Sequence, residues 1–248
     1  MFEPLFLLNE VQAGDRFSSW STLHSLASLW FPVSLIALYL GIVIAVAEGL
    51  NRLIAANGEL TRKIVHLGSG HVILLAWWFN LPAWIGIGAS AIASCIALLS
   101  YVIPFLPSIN SVGRKSLGTF FYAISIGILI AWFWAIEQPQ YAAIGILIMT
   151  WGDGMAGLIG QHFGKHPYQV FGMTKSWEGS LTMTAISFLV ASLILLAVDG
   201  NIWQTWIVSL AVAIVATGLE SFSQLGVDNL TVPIGSAALA FALSQFLA

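Results

Sequence analysis

Residues 151–160, Trp151-Gly-Asp-Gly-Met-Ala-Gly-Leu-Ile-Gly160, place one carboxylate inside an apolar pattern that is typical of a helix. A short charged segment, Lys175-Ser-Trp-Glu-Gly-Ser180, follows after a polar connection. Ionisable side chains at membrane depth are costly and usually mark functional sites. The meaning of this stretch therefore depends on whether the chain crosses a membrane.

The composition is that of an integral membrane protein. Of 248 residues, 58% are hydrophobic and only 8% are charged, whereas a soluble domain carries about 25% charged residues. The net charge of −3 and the eight basic residues exclude a nucleic-acid partner. The single cysteine, Cys95, offers neither a disulfide nor a thiol metal site. We predict an all-α, polytopic membrane helix bundle.

A membrane-spanning helix needs about 20 mostly apolar residues. Eight segments meet this pattern, although some are short and seven spans are possible: 31–49, 64–79, 82–100, 118–135, 141–160, 180–198, 203–219 and 232–247. Residues 1–29 are more polar and are expected to form a non-cytoplasmic or interfacial arm. We find no repeat or linker, so residues 30–248 are predicted to form one transmembrane domain.

The basic residues are concentrated on alternate connections between these spans. Seven of the eight fall on one side of the predicted topology, and only Arg16 falls on the other. An excess of Lys and Arg marks the cytoplasmic side, so both termini are expected on the opposite side. The seven residues are Arg52, Arg62, Lys63, Arg114, Lys115, Lys165 and Lys175.

The glycines around Asp153 have two readings. Residues 152–157 match G-x-G-x-x-G, but an apolar helical run precedes them instead of the strand that a dinucleotide site requires. Small residues also recur at every fourth position, namely Gly152, Ala156, Gly160 and Gly164. A strip of small residues on one face of a helix lets another helix approach closely. Packing does not explain Asp153, whose insertion costs about 2.5–3.5 kcal/mol. We expect a divalent cation or a base to pair with it.

The segment 175–180 also has two readings. It can be an interfacial turn with a Trp anchor and a solvated Lys/Glu pair. Alternatively, it can be a phosphate and metal site, because Lys is a strong phosphate partner and glycine lets backbone approach an anion. Physical reasoning from the residues leaves both readings open.

The histidines and the last polar cluster carry further hypotheses. His66 is either a polar contact between helices or a phosphate ligand, whereas His71 is expected to pack or to form hydrogen bonds. His162 and His166 have the spacing of metal ligands on a helix, but Gly164 and Pro167 argue against a helix there. The cluster Glu220, Asp228 and Asn229 lies on the same predicted face as Asp153, and Asp-Asn also favours a simple turn.

Taken together, these motifs resemble the phytol kinase branch of the CTP-dependent polyprenol kinases. The family is related to dolichol kinase and to CTP-dependent diacylglycerol kinase, and more distantly to phosphatidate cytidylyltransferase. The resemblance covers roughly residues 59–233. It is carried by four motifs: Arg62-Lys63-x-x-His66, Gly152-Asp153-x-x-Ala156, Lys175-Ser176-x-Glu178-Gly179-Ser180 and Glu220…Asp228-Asn229-x-x-x-Pro233.

The resemblance implies a kinase that transfers the γ-phosphoryl group of CTP, with Mg²⁺, to a membrane-embedded isoprenoid alcohol. Phytol is the expected acceptor, as in tocopherol biosynthesis, with dolichol, geranylgeraniol, farnesol and diacylglycerol as alternatives. A cytidylyltransferase-like enzyme and a membrane transporter are the competing classes. Residues 167–174 lack the basic residues expected of relatives, which leaves the nucleotide less certain than the reaction. The sequence does not indicate an oligomeric state.

The same resemblance implies roles for individual residues. The catalytic group would comprise Asp153, Lys175 and Glu178. Nucleotide or phosphate binding would involve Arg62, Lys63, His66, Arg114, Lys115, Ser176, Gly179 and Ser180. The metal ligands would be Asp153, Glu178, Glu220, Asp228 and Asn229. The site would face the cytoplasm from a plasma or thylakoid-type membrane.

Overall fold

The structure is a computed structural model that describes residues 29–50, 58–102, 117–222 and 225–247. The predicted N-terminal arm lies outside these residues except for Leu29, and so do Arg114 and Lys115. The backbone of Arg62 lies in a helix, but its side chain is outside the described part.

The described residues include ten α-helices, one π-helical segment and one β-hairpin. The helices before the central span are α1 (Leu29–Leu50), α2 (Gly58–Gly70), α3 (Val72–Trp78), α4 (Ala83–Val102) and α5 (Gly118–Phe133). The central span consists of α6 (Pro139–Leu147), a π-helical segment (Ile148–Asp153) and α7 (Gly154–Phe163). The strands β1 (Pro167–Val170) and β2 (Met173–Ser176) follow, and then α8 (Trp177–Val198), α9 (Trp203–Ser221) and α10 (Asp228–Leu247).

The predicted all-α, polytopic membrane helix bundle is confirmed. Six helices among the described residues are long and apolar enough to cross a membrane: Leu29–Leu50, Ala83–Ser100, Pro139–Phe163, Trp177–Val198, Trp203–Ser221 and Asp228–Leu247. The span expected at 118–135 is the shorter apolar helix Gly118–Phe133. The span expected at 64–79 is divided between α2 and α3, which meet at His71.

The core of the bundle is α6, where every residue from Tyr141 to Leu147 is buried. A helix that is apolar on all sides is expected in the middle of a bundle. Helices α5, α8 and α10 pack around α6, while α9 packs on α8 and α10, and α4 packs on α5.

The small-residue strip packs against the first half of α8, as the sequence predicted. A Cβ atom at Gly152 would lie 2.7 Å from Met183 Sδ, and one at Gly160 would lie 3.0 Å from Ser176 Oγ. Side chains at these positions would collide with α8 or with its capping residue Ser176, so the close approach of the central span to α8 requires the glycines.

The packing of α10 shows where Asp153 lies along the axis of the bundle. Helix α10 packs against α6 and the π-helical segment, with the carbonyl oxygen of Pro233 against Gly145. The two elements run antiparallel, and at 1.5 Å per residue Asp153 lies near the level of Asp228, the first residue of α10. Most of α7 therefore continues beyond the end of α10, along α8 and towards the hairpin.

Candidate active site

Five charged residues from five different elements act on one another at this end of the bundle. The carboxylate of Asp153 lies in the field of two other carboxylates, Asp228 and Glu220, and of two ammonium groups, Lys175 and Lys63. They come from the π-helical segment, the start of α10, the end of α9, β2 and α2. We refer to these five residues as the charged cluster. The structure thus brings together three of the predicted acids and two of the predicted bases.

The strongest interaction in the charged cluster joins Lys175 and Glu220. The Lys175 ammonium forms an ion pair with Glu220 Oε1 and donates a hydrogen bond of 3.3 Å to the Glu220 carbonyl oxygen. The side chains retain only 23% and 8% of their exposure. Burial would lower the pKa of Lys175, but the nearby carboxylates, led by Glu220, hold that pKa above its usual value. Lys175 is therefore positively charged and forms an ion pair with Glu220.

Asp228 is buried at the N-terminus of α10. Its Oδ1 accepts a hydrogen bond of 3.1 Å from Asn229 Nδ2, which also donates to the carbonyl oxygen of Gly226 at 3.3 Å. A carboxylate is stabilised at the first turn of a helix by the aligned peptide dipoles. Asn229 is directed to Asp228, so it orients this carboxylate.

Asp153 is the last residue of the π-helical segment. Among the described residues its side chain has no hydrogen-bond partner and no ion pair within 4 Å. Its charge is opposed at longer range by Lys175 and Lys63 and is reinforced by the other two carboxylates. Asp153 is thus the acid of the charged cluster whose oxygens are available to a metal ion or a substrate.

Lys63 reaches the charged cluster through a space left by Gly157. A Cβ atom at Gly157 would lie 3.1 Å from Lys63 Nζ. The adjoining contact is also close, since a Cβ atom at Gly154 would lie 3.1 Å from Leu67. These two glycines let α2 lie against α7 and place its lysine one turn beyond Asp153.

His66 makes contacts between helices. Its Nε2 lies 3.4 Å from the carbonyl oxygen of Met149 in the π-helical segment, and its ring packs on Tyr122 at 4.4 Å. Tyr122 in turn forms a hydrogen bond of 2.8 Å with Thr150. These contacts correspond to the first of the two predicted readings of His66; phosphate binding by His66 stays a prediction.

The other three histidines in the described part of the chain are His71, His162 and His166. His71 accepts a hydrogen bond of 3.1 Å from Trp151 Nε1, which confirms its predicted hydrogen-bonding role. His162 Nδ1 lies 2.9 Å from the carbonyl oxygen of Leu158 in its own helix. Helix α7 ends at Phe163, so His162 and His166 do not share a helix.

Glu178 points away from the charged cluster. Its carboxylate interacts with His166 twice, at 2.6 Å from Nδ1 and 3.3 Å from the backbone nitrogen, which donates. Glu178 is not among the charges that act on Asp153 within the described part of the chain. This placement gives no support to the predicted catalytic and metal-binding roles of Glu178. It makes Glu178 the residue that closes the turn between α7 and the hairpin.

The residues next to Glu178 form the start of α8. Ser176 Oγ caps the helix by accepting a hydrogen bond of 3.2 Å from the Gly179 backbone N–H. Gly179 is buried against α7, where a Cβ atom would lie 3.1 Å from the Ala156 carbonyl oxygen. Ser180 Oγ lies 2.6 Å from Tyr168 Oη. The predicted phosphate-binding roles of these three residues gain no support from these capping and packing contacts.

The β-hairpin that carries Lys175 was not predicted from the sequence. Its strands pair in antiparallel register, with Tyr168 opposite Lys175 and Val170 opposite Met173. Tyr168 Oη lies 3.2 Å from Ser221 Oγ and so ties the hairpin to the end of α9. A two-residue turn containing glycine between two short runs is a hairpin signal, and Phe171-Gly172 provided it.

The carboxylates do not form a preassembled metal cage. Among the described residues, no group of three or more His, Cys, Asp or Glu side chains is arranged to hold one ion. Arg114 and Lys115 lie outside the described residues. Leu117, which follows them, donates a backbone hydrogen bond of 3.2 Å to the Leu225 carbonyl oxygen, so this connection ends beside the loop between α9 and α10.

The chain resembles several characterised proteins over most of its length. It is 55% identical over 214 residues to a phytol kinase from Synechocystis sp., covering 86% of this chain and 92% of the relative. It is 30% identical over 222 residues to the chloroplastic phytol kinase 1 of Arabidopsis thaliana, covering 78% and 69% of the two chains.

A farnesol kinase of Arabidopsis thaliana, also chloroplastic, is 30% identical over 209 residues, covering 75% of this chain and 66% of the relative. No protein-family model and no solved structure matches the chain. The Synechocystis relative is matched over 92% of its length, at 55% identity. The chain therefore belongs to the phytol kinase family.

Proposed function

We propose that the chain transfers the γ-phosphoryl group of CTP to the hydroxyl of a long-chain isoprenoid alcohol, with phytol as the first choice. The observation that carries the proposal is the charged cluster at the end of an apolar bundle. Membership of the phytol kinase family supports it, and the relatives named phytol and farnesol kinases support an isoprenoid alcohol as acceptor. The product, phytyl phosphate, would feed prenyl-lipid synthesis such as that of tocopherol.

The height of the charged cluster suits two substrates that come from different phases. Asp153 lies near the level where α10 begins, and α7 continues past that level. An isoprenoid alcohol keeps its chain among the lipids and its hydroxyl at the membrane surface, whereas a nucleotide arrives from water. Both groups can meet at Asp153 without either leaving its preferred phase, and positioning of this kind is the main part of catalysis of phosphoryl transfer.

The donor set of the charged cluster fits Mg²⁺ that is shared with a nucleotide. Mg²⁺ prefers oxygen ligands and is usually held by one or two carboxylates together with substrate phosphates. Glu220 is paired with Lys175, which leaves Asp153 and Asp228 as the two carboxylates that would hold the ion. These two carboxylates would hold an ion whose contribution is neutralisation of the phosphate charge. A site of two carboxylates also agrees with the lack of a three-ligand cage among the described residues.

The charges of the cluster favour such a cation. When all five residues are ionised, three carboxylates against two ammonium groups leave one net negative charge. A nucleotide triphosphate would be repelled by that charge unless a divalent ion accompanied it. Lys175 and Lys63 would then face the phosphates, while Asp153 would hold the metal or accept the proton of the acceptor hydroxyl. Asn229 would keep Asp228 in place.

The test is incubation of the purified protein with Mg²⁺ and γ-labelled CTP, ATP, GTP or UTP. The acceptors are phytol, geranylgeraniol, farnesol, dolichol and diacylglycerol. We expect label in phytyl phosphate and release of CDP from CTP. Release of pyrophosphate would instead indicate a cytidylyltransferase. Absence of any labelled lipid, together with substrate flux in liposomes, would indicate a transporter and would contradict the proposal.

We also propose that the site faces the cytoplasm, because the basic residues are concentrated on that side of the predicted topology. The membrane would be a plasma or thylakoid-type membrane, and the chloroplastic plant relatives support the latter type. In sealed inside-out vesicles, added CTP should be used without detergent. In right-side-out vesicles, turnover should appear only after permeabilisation; the opposite pattern would contradict this orientation.

A further inference from the structure

Two turns at the active-site end of the bundle present large apolar side chains in an unusual backbone conformation. At the tip of the hairpin, Phe171 and Gly172 have φ angles of 48° and 77°. Between α9 and α10, Leu225 and Gly226 have φ angles of 54° and 87°. Positive φ is unfavourable for bulky residues, and Asn, Asp or Gly is the usual choice there. The apolar residues therefore do not serve the backbone of these turns.

These side chains are also strongly exposed. Phe171 retains 70% of its exposure and Leu225 retains 73%, and Phe222, directly after the last residue of α9, retains 59%. The rings of Phe171 and Phe222 lie 5.6 Å apart. We call Phe171, Phe222 and Leu225 the loop-tip cluster. Exposed apolar residues grouped in this way mark a contact surface, and the conformation of the two turns is an independent sign that the side chains are needed for such a contact.

The loop-tip cluster continues the lipid-facing surface of the bundle. On α9 the exposed apolar residues Ile207, Leu210 and Ile214 form a stripe with helical spacing, and Phe222 lies two turns beyond Ile214 on the same face. The exposed apolar surface of α9 therefore extends to Phe222 at the end of this helix. The ring contact between Phe222 and Phe171 joins it to the tip of the hairpin.

Helix α8 shows the same continuity on the other side of the hairpin. Its exposed stripe includes Leu193, Leu189 and Leu181 and ends at Trp177. The Trp177 ring lies 5.3 Å from the ring of Tyr168 in β1. Trp and Tyr are enriched where a protein passes through the headgroup region of a bilayer. The base of the hairpin is thus at the height of the membrane surface, and so is the end of α9.

We infer that the loop-tip cluster is embedded in the headgroup region of the bilayer that the bundle spans. The hairpin then lies along the membrane surface, with Tyr168 and Trp177 at its base and Phe171 at its tip. Lys175 lies on the strand that leaves this tip and is paired with Glu220 at the end of α9. Lipid contact at the tip holds the ammonium group of Lys175 at the depth of a lipid hydroxyl. The partner is the bilayer itself, and the inference does not depend on the nature of the nucleotide or of the acceptor.

The test measures the depth of single labels in membranes. The single cysteine, Cys95, is exposed and is first replaced by Ala. A nitroxide is then attached in Phe171→Cys or in Leu225→Cys, and each protein is reconstituted in phosphatidylcholine vesicles. Collision rates with oxygen and with a water-soluble nickel chelate give a depth parameter, which is lowest for a label in water, higher in the headgroup region and highest among the acyl chains. Leu189→Cys on the lipid-facing stripe of α8 is the lipid reference.

The matched control is Gln169→Cys, because Gln169 lies on the exposed face of β1 in the same hairpin. We expect depth parameters at positions 171 and 225 that lie between the high value at position 189 and the low value at position 169. Values at 171 and 225 as low as the value at 169 would overturn the inference, because the cluster would then face water. Low collision rates with both reagents would also overturn it, since the cluster would then be covered by protein. The two positions belong to different turns, so a variant that fails to fold still leaves the other to decide.

Discussion

Replacing Lys175 with Met tests whether the charged cluster is held together by its central ion pair. Methionine keeps most of the apolar stem of the side chain and removes the ammonium group. The Glu220 carboxylate, only 8% exposed, would then face Asp153 and Asp228 without its cation. Breaking a buried pair by removing one partner costs about 3–5 kcal/mol. Because Lys175 is itself 23% exposed, we expect a loss near the lower limit, about 3 kcal/mol.

The loss is measured by thermal unfolding in detergent, followed by circular dichroism at 222 nm, a wavelength that reports helix content. For a chain of this size, 1 kcal/mol corresponds to a change in Tm of about 2–4 °C. Lys175→Met should therefore lower Tm by about 6–12 °C. Lys165→Met is the control, because Lys165 is exposed on the same side of the bundle and exposed substitutions change stability by about 0.5 kcal/mol or less.

A double-mutant cycle separates the pair from other effects of the substitution. Glu220→Gln removes the buried charge, so the combination of Lys175→Met with Glu220→Gln should be less destabilising than the sum of the single changes. We expect a coupling of about 1–3 kcal/mol for groups in direct contact. If the two losses add without coupling, or if Lys175→Met resembles Lys165→Met, the ion pair does not stabilise the fold and the reasoning is wrong.

Four further predictions address the same region. The pKa of Lys175 is raised in the folded protein. The stabilisation by its ammonium group should therefore be complete below the unfolded pKa of about 10.4 and should be lost as pH rises through the folded pKa. Measurements of Tm from neutral to strongly alkaline pH check this, and Lys175→Met is the control whose Tm should not show this loss. Asp153→Asn should lower kcat by about 10²–10⁴-fold with little change in Tm, since Asp153 has no bonded partner among the described residues; near wild-type turnover would exclude its catalytic role. Glu178→Gln should retain most of the phosphoryl-transfer activity, because Glu178 contacts His166 and not the charged cluster; loss comparable to that of Asp153→Asn would contradict this placement. Gly152→Val should lower stability by about 1–3 kcal/mol, since its side chain would collide with Met183, and an unchanged Tm would show that the π-helical segment and α8 are not closely packed.

The bundle could be predicted because the membrane leaves few choices. Every backbone polar group in the bilayer must be satisfied within the protein, which restricts spans to helices, and hydropathy alone then locates them. The packing role of the strip at Gly152, Ala156 and Gly160 could be predicted for a similar reason. Small residues with helical spacing on an apolar helix allow a neighbouring helix to pack closely. These features depend on local sequence and on one dominant solvent property.

The pairing of charged side chains within the site depends on contacts between residues that are distant in sequence. Motif spacing along the chain could not predict these pairs. Glu178 is three residues from Lys175 and was the natural candidate for its ion-pair partner. Lys175 is instead paired with Glu220, which is 45 residues away in sequence. The cause is the unpredicted hairpin. Its antiparallel strands direct Lys175 towards the end of α9, while the first turn of α8 directs Glu178 back to His166. The division of 64–79 into two helices at His71 was likewise not signalled by hydropathy.

The π-helical segment explains how one apolar span can serve both packing and chemistry. In a regular α-helix, residues seven apart lie within about 20° of one another, so Gly145 and Gly152 would share a face. In this span Gly145 instead packs on Pro233 of α10, and Gly152 packs on Met183 of α8. The wider turns of Ile148–Asp153 lie between the two glycines and rotate the second half of the span relative to the first. Segments of this kind occur often at functional sites, and here the rotation ends at Asp153. The first half thus remains buried against α10, while the carboxylate is delivered to the charged cluster where α10 begins.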